Sequence, residues 1–218
     1  MNIYPISCGL GIGFLIENPT GLFLIDSGSP GYHHQVITKM QSLGRSDLRL
    51  ILVTHAHYDH YGNAKVLRDL TGAQIAVHHC DAESMTNGKS PLGKSHNHGF
   101  LFKPLQYLLN HLNPLPPTIP DILLQDGDSF EPFGLDAYLL HTPGHTPGHS
   151  CLILEDGTAF IGDLLGRVPR LKPQNLLATD WQQIPSSIRK LKTIQPNQLY
   201  TGHSPVPVSS HEFLSLQV

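Results

Sequence analysis

The apolar residues of this chain fall in short runs separated by turn signals, and the spacing inside each run predicts an element. "GIGFLIE" and "GLFLID" flank "NPT" and read as a β-hairpin. Over residues 32–43, Val36, Ile37, Met40 and Leu43 recur at helical spacing, with Gly44 as a stop. "LRLILV" is a buried strand that ends at Thr54. A helix is expected from near Asp59 to about Leu70, closed by "TG", and "AQIAVHH" is the next strand. Strand, helix and strand in alternation predict an α/β layered protein.

The second half changes character. "DILLQDGDSF", "LDAYLLH", "HSCLILED" and "TAFIGD" are strands broken by turns, and Asp156-Gly157 is a two-residue hairpin signal. A last helix is expected over about Asp180 to Lys192, with Pro185 in its first turns, and "NQLYTGH" gives a final short strand. Two strand-rich halves with helices outside predict a four-layer αββα sandwich, one domain over residues 1–218. Residues 81–120 stand apart, rich in Gly, Pro and Asn at their ends. Pro104 suits a first helical position, and Leu105, Leu108, Leu109 and Leu112 follow at helical spacing. The segment reads as an inserted lid carrying one amphipathic helix; the alternative is a helix packed on the core or at a dimer contact.

With 39% hydrophobic and only 14% charged residues, 218 residues can bury a core, so wholesale disorder is not expected. A net charge of -3 lacks the basic excess of a double-stranded nucleic-acid binder. Cys8, Cys80 and Cys151 are odd in number and widely spaced, which fits free thiols in a reducing compartment. The N-terminal stretch does not read as a signal peptide, and no apolar run approaches the ~18 residues of a membrane span. A cytoplasmic protein acting on a small molecule, with no membrane or nucleic-acid partner, is the expectation; a homodimer is compatible with it. Histidine is the outlier: 15 of them against 14 Lys and Arg together. Imidazole is the commonest metal ligand, so the excess points to a metal site without placing it.

"LILVTHAHYDHYGNA" places it. His55, His57, Asp59 and His60 follow a buried strand, where α/β folds hold ligands. Residues two apart in extended chain point the same way, so His55 and His57 can reach one ion. Asp59 and His60 diverge where the chain turns into a helix and can serve a second. A pair of ions then needs about two more histidines and a bridging oxygen donor. "LLHTPGHTPGHS" offers His141, His145 and His149, of which His145, at the centre, is the best candidate. Asp163 in "AFIGDLLG" and His203 in "LYTGHSPV" each follow an apolar strand and a glycine. His96 and His98 in "SHNHG" are candidate lid contacts with substrate, and Tyr58 and Tyr61 candidate pocket residues or packing.

"THAHYDHYGN", "HTPGHTPGHS", "FIGDLL" and "YTGHS", in this order and with the early "FLIDSG", resemble the metallo-β-lactamase superfamily, and within it the glyoxalase II-like hydrolases. The resemblance covers nearly the whole chain apart from residues 81–120 and the last few. It implies one metal position at His55, His57 and His145, a second at Asp59, His60 and His203, and Asp163 as the bridge. It also implies a supporting role for Asp26 behind the site, while His149 is a further supporting or packing residue. Two zinc ions are the implied cofactor, with iron or manganese as alternatives. The implied reaction is hydrolysis of an ester, thioester or lactone by metal-bound hydroxide, with Asp59 also accepting or relaying a proton. Retention of Asp163 turns the expectation away from β-lactam hydrolysis. The chain's end 15 residues after His203, short of the family's helical glutathione-binding extension, turns it away from glutathione thioesters. The alternatives are a mononuclear-iron persulfide dioxygenase using a subset of these ligands, and a non-enzymatic binding protein on the same scaffold.

Overall fold

The computed structural model describes residues 1–91, 93–95, 104, 115–167 and 170–217. Along the chain, β1 (Asn2–Cys8), β2 (Gly11–Asn18) and β3 (Gly21–Ile25) lead to α1 (His33–Ser42) and β4 (Leu48–Val53). Then come α2 (Tyr58–Tyr61), α3 (Ala64–Thr71), β5 (Gln74–His78), α4 (His79–Thr86), β6 (Lys94–Ser95) and β7 (Ile122–Leu124). The second half holds β8 (Ala137–His141), β9 (Ser150–Leu154), β10 (Thr158–Phe160), β11 (Leu165–Arg167), β12 (Leu171–Pro173) and β13 (Leu177–Ala178). It closes with α5 (Gln183–Ile194), β14 (Gln198–Tyr200), β15 (Val208–Ser209) and α6 (Ser210–Leu214).

One sheet runs β1-β2-β3-β4-β5-β7, antiparallel over its first three strands and parallel over its last four. The other runs β15-β14-β10-β9-β8, with β10 and β14 parallel. Alternation along the strands sorts side chains into three apolar layers. Leu50 and Leu52 of β4 meet Leu152 and Leu154 of β9 between the sheets, joined by the ring cluster of Phe14, Phe160 and Tyr200. Ile51 and Val53 face Val36 and Met40 of α1, Leu67 of α3 and Met85 of α4. Cys151 and Ile153 face Ile184, Ile188 and Leu191 of α5 and Phe213 of α6. The result is the αββα sandwich. It also explains why the central strands are apolar without alternation, since both of their faces are covered.

Several elements differ from the sequence reading. β1 was not anticipated; Pro5 argues against a strand, but β1 is a sheet edge, where a missing ladder N–H is tolerated. The helix expected from near Asp59 to about Leu70 is two pieces. Asn63 ends the first, because its side-chain amide donates to Ser27 O and Ser29 O, both at 2.6 Å, and its N–H donates to Ser27 Oγ at 3.1 Å. Gly62 sits so tightly on Pro30 that a Cβ would come within 2.4 Å of Pro30 Cδ. Pro185 lies in the first turn of α5, whose N–H groups have no helical partner in any case. Residues 81–86, placed in the inserted lid, belong to α4, which follows β5 without a loop and buries Asp81 and Met85. The leucine-bearing helix expected after Pro104 lies outside the described residues.

Candidate metal centre

The first ligand cluster grows from the end of β4. His55 follows Thr54, His57 is the N-cap of α2, and Asp59 and His60 lie inside α2. His145 comes from the loop between β8 and β9. Asp163 and His203 come together by register. β10 and β14 are parallel with Phe160 opposite Tyr200, and each ligand stands three residues further on, after a glycine. The glycines have a steric reason. A Cβ on Gly202 would lie 2.5 Å from Asp163 Oδ1 and 2.6 Å from His60 Cε1, and one on Gly162 would lie 2.8 Å from Thr54 Oγ1 and 2.9 Å from His149 Nε2.

All seven residues converge. Ligand atoms of His55, His57 and His145 lie within 4.8 Å of one another, and so do those of His55, His60 and Asp163 and those of Asp59, His60 and His203. Asp163 reaches both groups: Oδ1 is 3.5 Å from His60 Nε2, and Oδ2 is 3.5 Å from His145 Nε2 and 3.1 Å from His203 Nε2. Asp59 Oδ2 is 3.7 Å from His203 Nε2.

The outer nitrogen of every ring is taken. His57 Nε2 donates to Pro91 O at 2.8 Å, His145 Nδ1 to Leu177 O at 2.9 Å, and His203 Nδ1 to Leu10 O at 2.9 Å. His60 Nδ1 donates to Asp26 Oδ2 at 2.8 Å. Thr54 Oγ1 gives its proton to the same carboxylate, so it accepts from His55 Nδ1 at 3.0 Å. These bonds fix each tautomer and leave one nitrogen of each ring turned inward, as metal-ligating imidazoles require.

The inward atoms fit a cation. His55 Nε2 and His145 Nε2 face each other at 3.1 Å, although both rings have committed their protons elsewhere. His60 Nε2 and Asp163 Oδ1 are buried without a hydrogen-bond partner among the described residues. Burial pushes His55 and His145 well below the ordinary imidazole value, helped by neighbouring imidazoles, so they stay in the neutral, ligating form. For His60, burial is outweighed by the carboxylates of Asp26, Asp163 and Asp59, which raise it well above that value. Asp163 beside it raises His203 to about 9. Burial opposes charge on Asp163, but His203 and His60 hold its carboxyl well below the usual range. Carboxylates that draw protons onto two imidazoles would draw a divalent cation in their place.

The remaining candidates sit further out. Asp26, in the left-handed region at φ 57°, orients His60 directly and His55 through Thr54. His149 is buried and accepts from the Asp163 N–H at 3.2 Å, while burial pushes it down to about 4. His141 stacks on His78, at 3.8 Å between ring centres, away from the cluster. Tyr58 lines the cavity, whereas Tyr61 is buried and donates to Lys89 O at 2.8 Å. His96 and His98 lie outside the described residues.

A cavity of about 450 Å³ opens over His57, Asp59, His145, Asp163 and His203. One wall comes from residues 166–167 and 172–177, in and between β11, β12 and β13, which bring Arg167, Lys172 and Leu176 to the cavity. Sequence reading missed this wall, because its strands are two or three residues long and carry no periodicity. It also missed Asp81, which accepts from the Ala56 N–H, the Thr146 hydroxyl and the Gly148 N–H.

The family model of the metallo-beta-lactamase superfamily matches residues 13–203. The probable metallo-hydrolase YflN of Bacillus subtilis is 27% identical over 92% of this chain and 81% of its own length. The hydroxyacylglutathione hydrolase GloC of Haemophilus influenzae is 31% identical over 76% of this chain and 71% of its own length. The chain spans less than two thirds of several other curated relatives that it matches. Among solved structures, BJP-1, a subclass B3 metallo-beta-lactamase of Bradyrhizobium japonicum, has the same fold. Its TM-score is 0.72 at 24% identity, over 93% of this chain and 75% of that one.

Proposed function

The chain belongs to the metallo-beta-lactamase superfamily, and on that footing we propose that it is a hydrolase of an ester, thioester or lactone that works with two zinc ions. The observation that carries this is the set of five histidines with pinned outer nitrogens, four of which (His55, His60, His145 and His203) turn their inner ones toward Asp163 while His57 joins His55 and His145. His55, His57 and His145 would hold one ion, Asp59, His60 and His203 the other, and Asp163 would span both. Bound there, the pair would supply the lowered water pKa and the carbonyl polarisation that hydrolysis at neutral pH requires.

The protein's own groups do the rest. Asp59 faces the cavity, where its carboxylate can accept the proton released as water adds to a carbonyl carbon. Asp26 and the carbonyls of Pro91, Leu177 and Leu10 keep the rings in one orientation, so no reorganisation is needed when the reaction begins. Leu10, Leu176 and Leu177 give the cavity apolar surface for an acyl group. The name of the Haemophilus relative returns acyl-glutathione thioesters to the candidate substrates.

The test is a hydrolysis panel of acyl-glutathione thioesters, lactones, aryl esters and a chromogenic β-lactam, run on protein of known metal content. Two equivalents of zinc, and turnover of at least one acyl substrate that a chelator abolishes and zinc restores, are expected. A single iron with oxygen uptake would replace this reading with the dioxygenase one. Protein that takes up no metal would leave a binding function on the same scaffold.

A further inference from the structure

The loop of His55 and His57 and the loop of His145 are 90 residues apart in sequence, yet their inward nitrogens must meet to within a few tenths of an ångström. Among the described residues, the only backbone hydrogen bond between the two loops is from Ser150 N–H to Thr54 O, at 2.9 Å. The second tie is a side chain from neither loop. Asp81, in the first turn of α4, is fully buried. Its Oδ2 accepts from the Ala56 N–H at 2.8 Å and the Thr146 hydroxyl at 2.7 Å, and its Oδ1 accepts from the Gly148 N–H at 2.7 Å. Ala56 lies between His55 and His57, Thr146 follows His145, and Gly148 precedes His149, whose Nε2 in turn accepts from the Asp163 N–H. A Cβ at Gly148 would come within 2.7 Å of the Asp81 carboxyl carbon, so this glycine lets the loop close onto the carboxylate.

We infer that Asp81 is a positioning residue for the metal centre, a carboxylate that fixes the His55–His57 loop against the His145 loop. The inference rests on the metal-centre reading above and adds a residue to it. Three donors satisfy the buried carboxylate. All three belong to the ligand-bearing loops, so its hydrogen-bonding capacity goes to the site and not to the core of α4. An amide at this position would set an N–H against one of the donors and release one side of the clamp.

The experiment compares the full-length protein with its Asp81→Asn and Thr146→Val variants in two measurements. Zinc titration against a competing chelator reads the three-histidine position, where Asp81→Asn should weaken binding by about 10–100-fold and Thr146→Val by less. Nitrogen-15 imidazole spectra of the metal-free proteins read the rings themselves. His57 should be a single Nε2–H tautomer and His145 a single Nδ1–H tautomer in the wild type, with both averaged in Asp81→Asn. Unchanged ring spectra and unchanged zinc affinity in a folded variant would overturn the inference, and if Asp81→Asn does not fold, Thr146→Val decides. If the wild type takes up no zinc, the metal-centre reading fails, and the ring spectra still decide the role of Asp81.

Discussion

His78 shows, away from the metal centre, how burial holds an imidazole in its neutral form. The residue is 2% exposed, and burial, reinforced by the facing rings of His141 and His79, lowers it to about 4. In the unfolded chain it would titrate near the ordinary ~6.5, so between those values the unfolded state binds more protons. Stability is therefore lost as pH falls from about 6.5 to about 4. Thermal midpoints measured across that window should fall less steeply for His78→Gln than for the wild type; equal slopes would contradict the assignment. Legibility at this scale follows from the locality of the signal. His55, His57, Asp59 and His60 could be read as ligand types because they crowd into six positions after one strand. Asp81 could not, because its partners lie 25, 65 and 67 residues away and nothing local distinguishes it from a helix-starting aspartate.

Elements deliver ligands through strand ends, and the parallel pair β10 and β14 is the clearest case. Its register fixes Asp163 and His203 side by side; the glycine before His203 leaves room for Asp163 and His60, and the glycine before Asp163 leaves room for Thr54 and His149. Gly202→Ala should weaken zinc binding about tenfold or more while leaving the melting of the metal-free protein within a few degrees of wild type. Chelator competition alongside a thermal melt checks both halves of that statement. The longer apolar strands, β2 to β5, β8 and β9, were legible because each shows an uninterrupted run. The break between α2 and α3 was not, because a hydrogen-bonded Asn63 on the Ser27–Ser29 turn decides it, and that is a tertiary contact. The strands of the cavity wall, β11 to β13, were hidden for the opposite reason: they are too short to carry a pattern.

At the scale of the molecule, the proposed ligands come from both sheets: four follow β4 in the first, and three follow strands or loops of the second. An ion held between them would add a cross-link to the apolar interface and the hydrogen bonds, such as Ser150 N–H to Thr54 O, that already join the two halves. Ligand binding to the folded state alone adds about 2.7 kcal/mol at a hundredfold excess over Kd. For a chain of this size, zinc at that excess should raise the melting midpoint of the metal-free protein by roughly 5–10 °C. Calorimetry with and without chelator measures the shift, and no shift would mean that the ligands do not act across the sheets. Among the described residues, no helix is long and apolar enough to cross a membrane.

The Leu177 carbonyl belongs at once to the cavity wall and to the orientation of His145. Residues 165–176 contribute none of the seven proposed ligands, so this stretch can act as an exchangeable cassette. Grafting another sequence into it would reset which molecules are admitted while the reaction centre stays intact, provided the graft returns a backbone acceptor to position 177.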